Sequence, residues 1–216
     1  YRVRITLNGC TSLYSAANNA VVNVIPSSPT IEQQCNGSIC ASNPLSSCLL
    51  KAIAPLAGPG SSYSFYTSSG QLIATPQLYD SLFLNNAAQY GSGLKSFYAT
   101  VTTNGCQSAP SNSIQIQLDT IPNLKANTGN DFAACEDSPI QICATAVNTG
   151  YGVWNQIGGP AVQILSPFST CTGLLGYTGG QNLKFTWSLN NGACLNYSID
   201  TLTIDISDNM VASAFP

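Results

Sequence analysis

Apolar and polar residues alternate along three stretches of the chain, and each stretch runs into the same short turn. The first is Tyr1-Arg-Val-Arg-Ile-Thr-Leu-Asn-Gly-Cys10, the second Phe97-Tyr-Ala-Thr-Val-Thr-Thr-Asn-Gly-Cys106, and the third Phe185-Thr-Trp-Ser-Leu-Asn-Asn-Gly-Ala-Cys194. A period of two predicts half-buried strands, with Tyr1, Val3 and Ile5, then Phe97, Ala99 and Val101, then Phe185, Trp187 and Leu189 facing inward. The pairs Asn8-Gly9, Asn104-Gly105 and Asn191-Gly192 tolerate positive φ and predict tight hairpin turns of type I′. A second alternating strand follows each turn, over Val21–Val24, Ser113–Leu118 and Thr201–Ile206.

Another pattern occurs twice upstream of these endings. Cys40-Ala-Ser-Asn-Pro44-Leu-Ser-Ser-Cys48 matches Cys135-Glu-Asp-Ser-Pro139-Ile-Gln-Ile-Cys143, each followed by a further alternating stretch, Leu50–Ala54 and Ala144–Val147. Two openings and three endings divide the chain. Residues 1–26 read as the last hairpin of a module whose start lies outside the sequence, 27–119 and 120–208 as complete modules, and 209–216 as a linker to a further one. Strands of five to seven residues broken by Gly, Pro, Asn and Ser, with no helical period, predict an all-β chain of tandem antiparallel β-sandwiches.

Cysteine usage adds staples to this picture. Nine cysteines, none in a CxxC arrangement, point to an oxidising compartment and structural bridges rather than zinc or redox-active thiols. The odd number resolves as Cys10 unpaired within the sequence and two sets of four: Cys35, Cys40, Cys48 and Cys106, then Cys135, Cys143, Cys171 and Cys194. Each set allows three connectivities. The repeat favours joining openings to endings, Cys40–Cys106 and Cys135–Cys194, which leaves Cys35–Cys48 and Cys143–Cys171. The chain opens at Tyr1 without an initiator Met, and its single Met is Met210. A processed segment of a longer protein is the expectation.

Charge and side-chain inventory narrow the function. Charged residues make up 7% of the 216, against about a quarter in an ordinary domain. With a net charge of −3 the surface offers no basic patch for nucleic acid, and no apolar run is long enough for a membrane span. Histidine is absent, which removes Ser–His and Cys–His catalysis and the commonest zinc ligand. Neither catalytic residues nor a cofactor are expected. Asp131, Glu136 and Asp137 cluster ahead of a predicted strand, but without a DxDxDG loop they read as turn chemistry rather than a calcium or glycosidase site. Gly158-Gly159-Pro160, followed by neither Lys nor a helix, reads as a turn.

Gly152-Val-Trp-Asn-Gln-Ile-Gly-Gly-Pro-Ala-Val-Gln-Ile164, Thr170-Cys-Thr-Gly-Leu174 and the third ending together resemble a PKD-like repeat of giant Bacteroidota cell-surface proteins. Residues 27–119 are similar to the Ig-like modules found beside such repeats, through Tyr63-Ser-Phe-Tyr66, Gly70-Gln-Leu and the second ending. Cys143 and Cys171 depart from the PKD-like pattern and indicate an added bridge. The combination resembles the shaft of SprB-type gliding-motility adhesins exported by type IX secretion. That resemblance implies an extracellular, surface-held structural segment. Its partners would be the neighbouring modules, other copies in a filament, and a surface polysaccharide. It also implies O-glycosylation at Asp-Ser/Thr-apolar sites: Ser81, Thr120 and Thr201. Asn36 and Asn196 fit the eukaryotic N-glycan acceptor.

The aromatic residues bear on the competing reading, a carbohydrate-binding or spacer module of a secreted polysaccharide-degrading enzyme. Trp154 and Trp187 are expected in the sandwich core rather than on a sugar platform. Tyr63, Phe65 and Tyr66 share one strand, so at least one ring faces outward, and packing against a neighbour is the expected use.

Overall fold

The computed structural model describes residues 1–19, 22–43, 46–54, 57–85 and 87–209. Val21, Pro44 and the expected linker beyond Asn209 lie outside the described residues. The chain falls into two compact units, the first made of Tyr1–Glu32, Lys51–Leu82 and Phe97–Ile114, the second of Gln33–Leu50, Phe83–Ser96 and Gln115–Pro216.

The first turn forms a minimal hairpin, β1 (Thr6–Leu7) and β2 (Cys10–Thr11), paired antiparallel with Leu7 opposite Cys10. Asn8 and Gly9 both have positive φ, at 49° and 81°, as a type I′ turn requires. Val3 and Ile5, expected inward, are 68% and 69% exposed, and Tyr1 is 87% exposed. The reason is the missing second layer: among the described residues no sheet lies over this face. The expected strand over Val21–Val24 is also not formed at residues 22–24.

Next along the chain come β3 (Thr30–Gln34), β4 (Ser38–Cys40), β5 (Cys48–Ile53), β6 (Ser62–Thr67) and β7 (Ser81–Leu84). A 3₁₀ turn over Ala87–Tyr90 leads into β8 (Gly93–Thr103), β9 (Cys106–Gln107) and β10 (Ile114–Asp119). One sheet has the order β4-β10-β8-β6 with β9 on β8, and another β3-β5-β7. Alternation decides burial. Cys48, Leu50 and Ala52 in β5, and Phe97, Ala99 and Val101 in β8, are all fully buried. The Asn104-Gly105 turn repeats the first, with φ of 52° and 81°.

Residues 132–207 supply β11 (Phe132–Cys135), β12 (Gln141–Cys143), β13 (Tyr151–Gly158), β14 (Gln163–Ile164), β15 (Cys171–Leu175), β16 (Gln181–Asn191) and β17 (Cys194–Ser207). Two sheets, β11-β17-β16-β13 and β12-β15-β14, enclose a core around Trp154, Trp187, Phe185, Leu183, Ile142 and Leu174. This is a β-sandwich, and the fold is all-β. The two indoles lie directly opposite across β13 and β16, with ring centroids 5.2 Å apart and tilted by 45°.

Two local features depart from simple expectation. β4 pairs with β10, and β11 with β17, in parallel, because each opening strand lies beside the last strand of the same stretch and runs with it. The Cys-x3-Pro-x3-Cys segments are where the chain crosses between sheets: β11 lies in one and β12 in the other, with Pro139 breaking the ladder between them. The third turn is not type I′. Ala193 adds a residue, the register of β16 and β17 shifts between Leu189 and Asn191, and positive φ falls on Gly192 (54°) but not on Asn191. Gly at the first central position is what a type II′ turn requires.

Candidate functional site: the bridged turn at Asp119

β10 ends at Asp119, which lies opposite Cys40 at the end of β4, and Ala41 N–H donates to Asp119 O at 2.7 Å. The β16–β17 turn arrives at this end. Ala193 N–H donates to Asp119 Oδ2 at 2.8 Å, and Asn191 Nδ2 donates to Thr120 O at 2.8 Å. Cys194 Sγ lies 3.5 Å from Asp119 O, and Cys194 is disulfide-bonded to Cys40 with their Cα atoms 4.8 Å apart. Gln117 Nε2 donates to the other carboxylate oxygen at 3.0 Å, and Ile121 N–H donates to Ser42 Oγ at 3.1 Å. A Cβ at residue 192 would stand 2.1 Å from Asp119 Oδ2, so the close seat of the turn demands glycine there as well as positive φ. Both sides of the bridge belong to the second compact unit.

The pairing of openings with endings inside one stretch is therefore not what the structure shows for Cys40 and Cys194. Cys40 stands at the end of β4 beside Asp119, where the turn from the following stretch lands, and a disulfide needs Cα atoms within roughly 7 Å. Cys106 and Cys135 are free, as is Cys10. Cys35 is bonded to Cys48, and Cys143 to Cys171, the latter pair directly opposite in β12 and β15. Asp119 enters the sequence reading only as the first residue of the Asp119-Thr120-Ile121 glycosylation pattern, with nothing to mark it as the seat of a turn. The clue available was positional: Asp119 precedes Ile121-Pro122 just as Asn23 precedes Ile25-Pro26.

No known family profile matches the chain, and no curated protein does. Among solved structures it is similar to the fibronectin(III)-like modules of Clostridium thermocellum CbhA, with a TM-score of 0.46 and 11% identity over 86% of this chain and all of that one. It is similar to the FN1–FN3 domains of chicken CNTN1 at a TM-score of 0.42 and 12% identity, covering 94% of this chain and 77% of that one. Extracellular domains 3–5 of Drosophila OTK give 0.43 and 9%, over 85% of this chain and 60% of that one.

The other residues singled out by the sequence are spread over the two units. Trp154 and Trp187 are buried, with neither indole N–H given a protein acceptor. Phe65 is buried, while Tyr66 on the opposite face stacks on Tyr98 directly across the ladder, centroids 5.0 Å apart and 13° from parallel. Gln107 Nε2 donates to Tyr66 OH at 3.3 Å. Two carboxylates of residues 131–137 serve backbone amides: Asp131 accepts from Thr203 N at 2.7 Å, and Glu136 from Gly179 N at 2.9 Å. Asp137 accepts from Asn209 Nδ2. Among the described residues no three His, Cys, Asp or Glu converge on a metal position. Ser81 lies half-buried in β7, Thr120 half-buried after β10, and Thr201 exposed in β17. Next to Thr201, the Asp200 carboxylate accepts from Thr128 N at 2.8 Å and Thr128 Oγ1 at 3.0 Å. These bonds, the backbone one foremost, hold its pKa below the ordinary carboxylate range. Burial, with the Asp80 charge adding to it, pushes the Tyr63 phenol up.

Proposed function

We propose that the chain is a structural repeat segment of a large secreted cell-surface adhesin or filament, serving attachment or gliding through its length rather than through catalysis. Its modules are 1–26 (an ending), 27–119 and 120–208, with 209–216 leading onward. The observation that carries this reading is the Cys40–Cys194 bridge, which on this register ties the stretch 27–119 to the stretch 120–208 by a bond outside the backbone. A second support is that each sheet draws its strands from one of these stretches alone. Three disulfides agree with an extracellular setting. Partners on this reading are neighbouring modules, other copies in a filament and a surface polysaccharide, and Ser81, Thr120 and Thr201 are its glycan acceptors. Tyr66 and Tyr98 spend ring faces on each other, which disfavours the competing role as a sugar-binding appendage of an enzyme.

The test is surface labelling of intact source cells, followed by peptide mapping of the labelled chains. Peptides from 1–216 within a very long labelled polypeptide, together with loss of attachment or spreading when its gene is deleted, are expected. Recovery of the same peptides on a soluble polysaccharide-degrading enzyme would overturn it.

A further inference from the structure

The Cys40–Cys194 geometry recurs, half-built, at the other junctions of the chain. The contacts within the endings repeat at an interval of ninety-six residues. Ser12 N–H donates to Ile5 O as Ser108 N–H donates to Val101 O, both at 2.9 Å. Ser15 N–H donates to Val3 O as Ser111 N–H donates to Ala99 O, again at 2.9 Å. In that register Cys10 matches Cys106, and Asn23 matches Asp119. The seat of the turn repeats too. Asn23 Nδ2 donates to Asn104 O at 2.9 Å, and Cys106 Sγ lies 3.9 Å from Asn23 O. That is the position of Cys194 Sγ relative to Asp119 O.

The other half of the bridge repeats as well. Cys135 ends β11 opposite Ser207 in a parallel ladder, as Cys40 ends β4 opposite Asp119. Glu136 N–H donates to Ser207 O at 3.2 Å, as Ala41 N–H donates to Asp119 O. Ser207 follows Cys194 by the same thirteen residues that separate Asp119 from Cys106. The end of β17 is thus a copy of the platform on which the Asn191–Cys194 turn sits, and its cysteine is exposed and free.

We propose that Cys10, Cys106 and Cys135 are half-bridges of a disulfide ladder in which each module's opening cysteine is joined to the closing cysteine of the module seated on it. Cys135 takes the cysteine of an Asn-Gly turn. Cys106 and Cys10 take the first cysteine of a Cys-x3-Pro-x3-Cys segment. All nine cysteines are then assigned: three bonded pairs within the chain and three halves whose mates lie in other modules of this kind. Each bond forms when two thiols give two electrons and two protons to a disulfide oxidant, which leaves as a dithiol. The ladder rests on the module register proposed above and is independent of what the protein grips.

The experiment is proteolysis of the native full-length protein under non-reducing, thiol-blocked conditions, with mass spectrometry before and after reduction. The expected result is a Cys135 peptide joined to an Asn-Gly-type cysteine peptide, and Cys106 and Cys10 peptides joined to opening-type peptides. All three vanish as linked species on reduction. Electrophoresis with and without reductant separates the two sources of the mate: an unchanged chain mass means modules in line, and a collapse from a covalent multimer means a second copy. Cys135 recovered blocked as a free thiol, or bonded to Cys106 or Cys194 of its own chain, would overturn the ladder. Surface location would be untouched by that failure, so the two readings fail separately.

Discussion

Gly152 is a packing requirement of the Trp pair, and its replacement by Ala is the sharpest probe of the 120–208 core. The residue sits in β13 opposite Leu189, and its φ is not in the left-handed region, so Ala meets no backbone penalty there. The obstacle is Trp187. A Cβ at residue 152 would stand 2.0 Å from Cζ2, 2.4 Å from Cη2 and 2.5 Å from Cε2 of an indole that is fully buried. Ordinary carbon contacts are about 3.5–4.0 Å, so the ring must retreat by roughly 1.5 Å. Trp154 stands 5.2 Å away, centroid to centroid, and limits that retreat. Overpacking of this kind costs about 1–3 kcal/mol, and a rigid, hemmed ring places it at about 2–3. For a module of this size that lowers Tm by roughly 10–20 °C. Both tryptophans of the chain lie in this stretch, so their emission reports its unfolding selectively. Trp187→Phe trims the colliding edge. The double variant is expected to lose at least about 1 kcal/mol less than the sum of the single losses. Additive losses, or a Gly152→Ala shift of no more than about 3 °C, would refute the steric account.

Gln156 clamps the Gly158-Gly159-Pro160 turn, donating through Nε2 to Gly158 O and Pro160 O while Oε1 accepts from Val162 N. Gln156→Ala is expected to cost about 1–3 kcal/mol in urea unfolding. Gln156→Glu is expected to do no better, because a carboxylate would face two carbonyls. Asp200 has a depressed folded-state pKa, so its contribution is complete above the ordinary carboxylate value near 3.9 and is lost as pH falls through the lower folded value. Asp200→Asn should therefore flatten the acid limb of Tm against pH, while the gap to wild type stays constant above about pH 5. The Asn112 amide pairs with both backbone groups of Ile31, at 3.0 and 3.2 Å. In Asn112→Ala, amide exchange at Ile31 should accelerate by roughly tenfold, the equivalent of about one hydrogen bond.

Much of this was written in the order of side chains. The inward triplets Phe97, Ala99, Val101 and Phe185, Trp187, Leu189 are all fully buried, because alternation reports a strand's two faces directly. The Asn-Gly pairs marked turns because positive φ is a local demand. The third turn departs from type I′ because one added residue, Ala193, places positive φ on Gly192 and not on Asn191. Burial of Val3 and Ile5 failed for a different reason: alternation says which face is apolar, not whether anything covers it. Cys40 pairs with Cys194 rather than the expected Cys106 because its partner depends on where a turn lands in space. Sequence spacing carries no trace of that beyond the matching positions of Asn23 and Asp119.

The bridge between Cys40 and Cys194 also redraws the route of tension. Pulled along its length, the chain would carry load from residue 27 to Cys40, across the sulfurs, and out through β17. The stretch between the two cysteines, which are 154 positions apart, is bypassed. Unfolding it releases none of the roughly 500 Å of contour it contains. The fourteen residues of β17 that stay in the circuit are held by β16 on one side and β11 on the other. Repeated at every junction, such shunts would make the segment behave as an almost inextensible tether rather than a string of springs, one that reduction alone converts into a shock absorber.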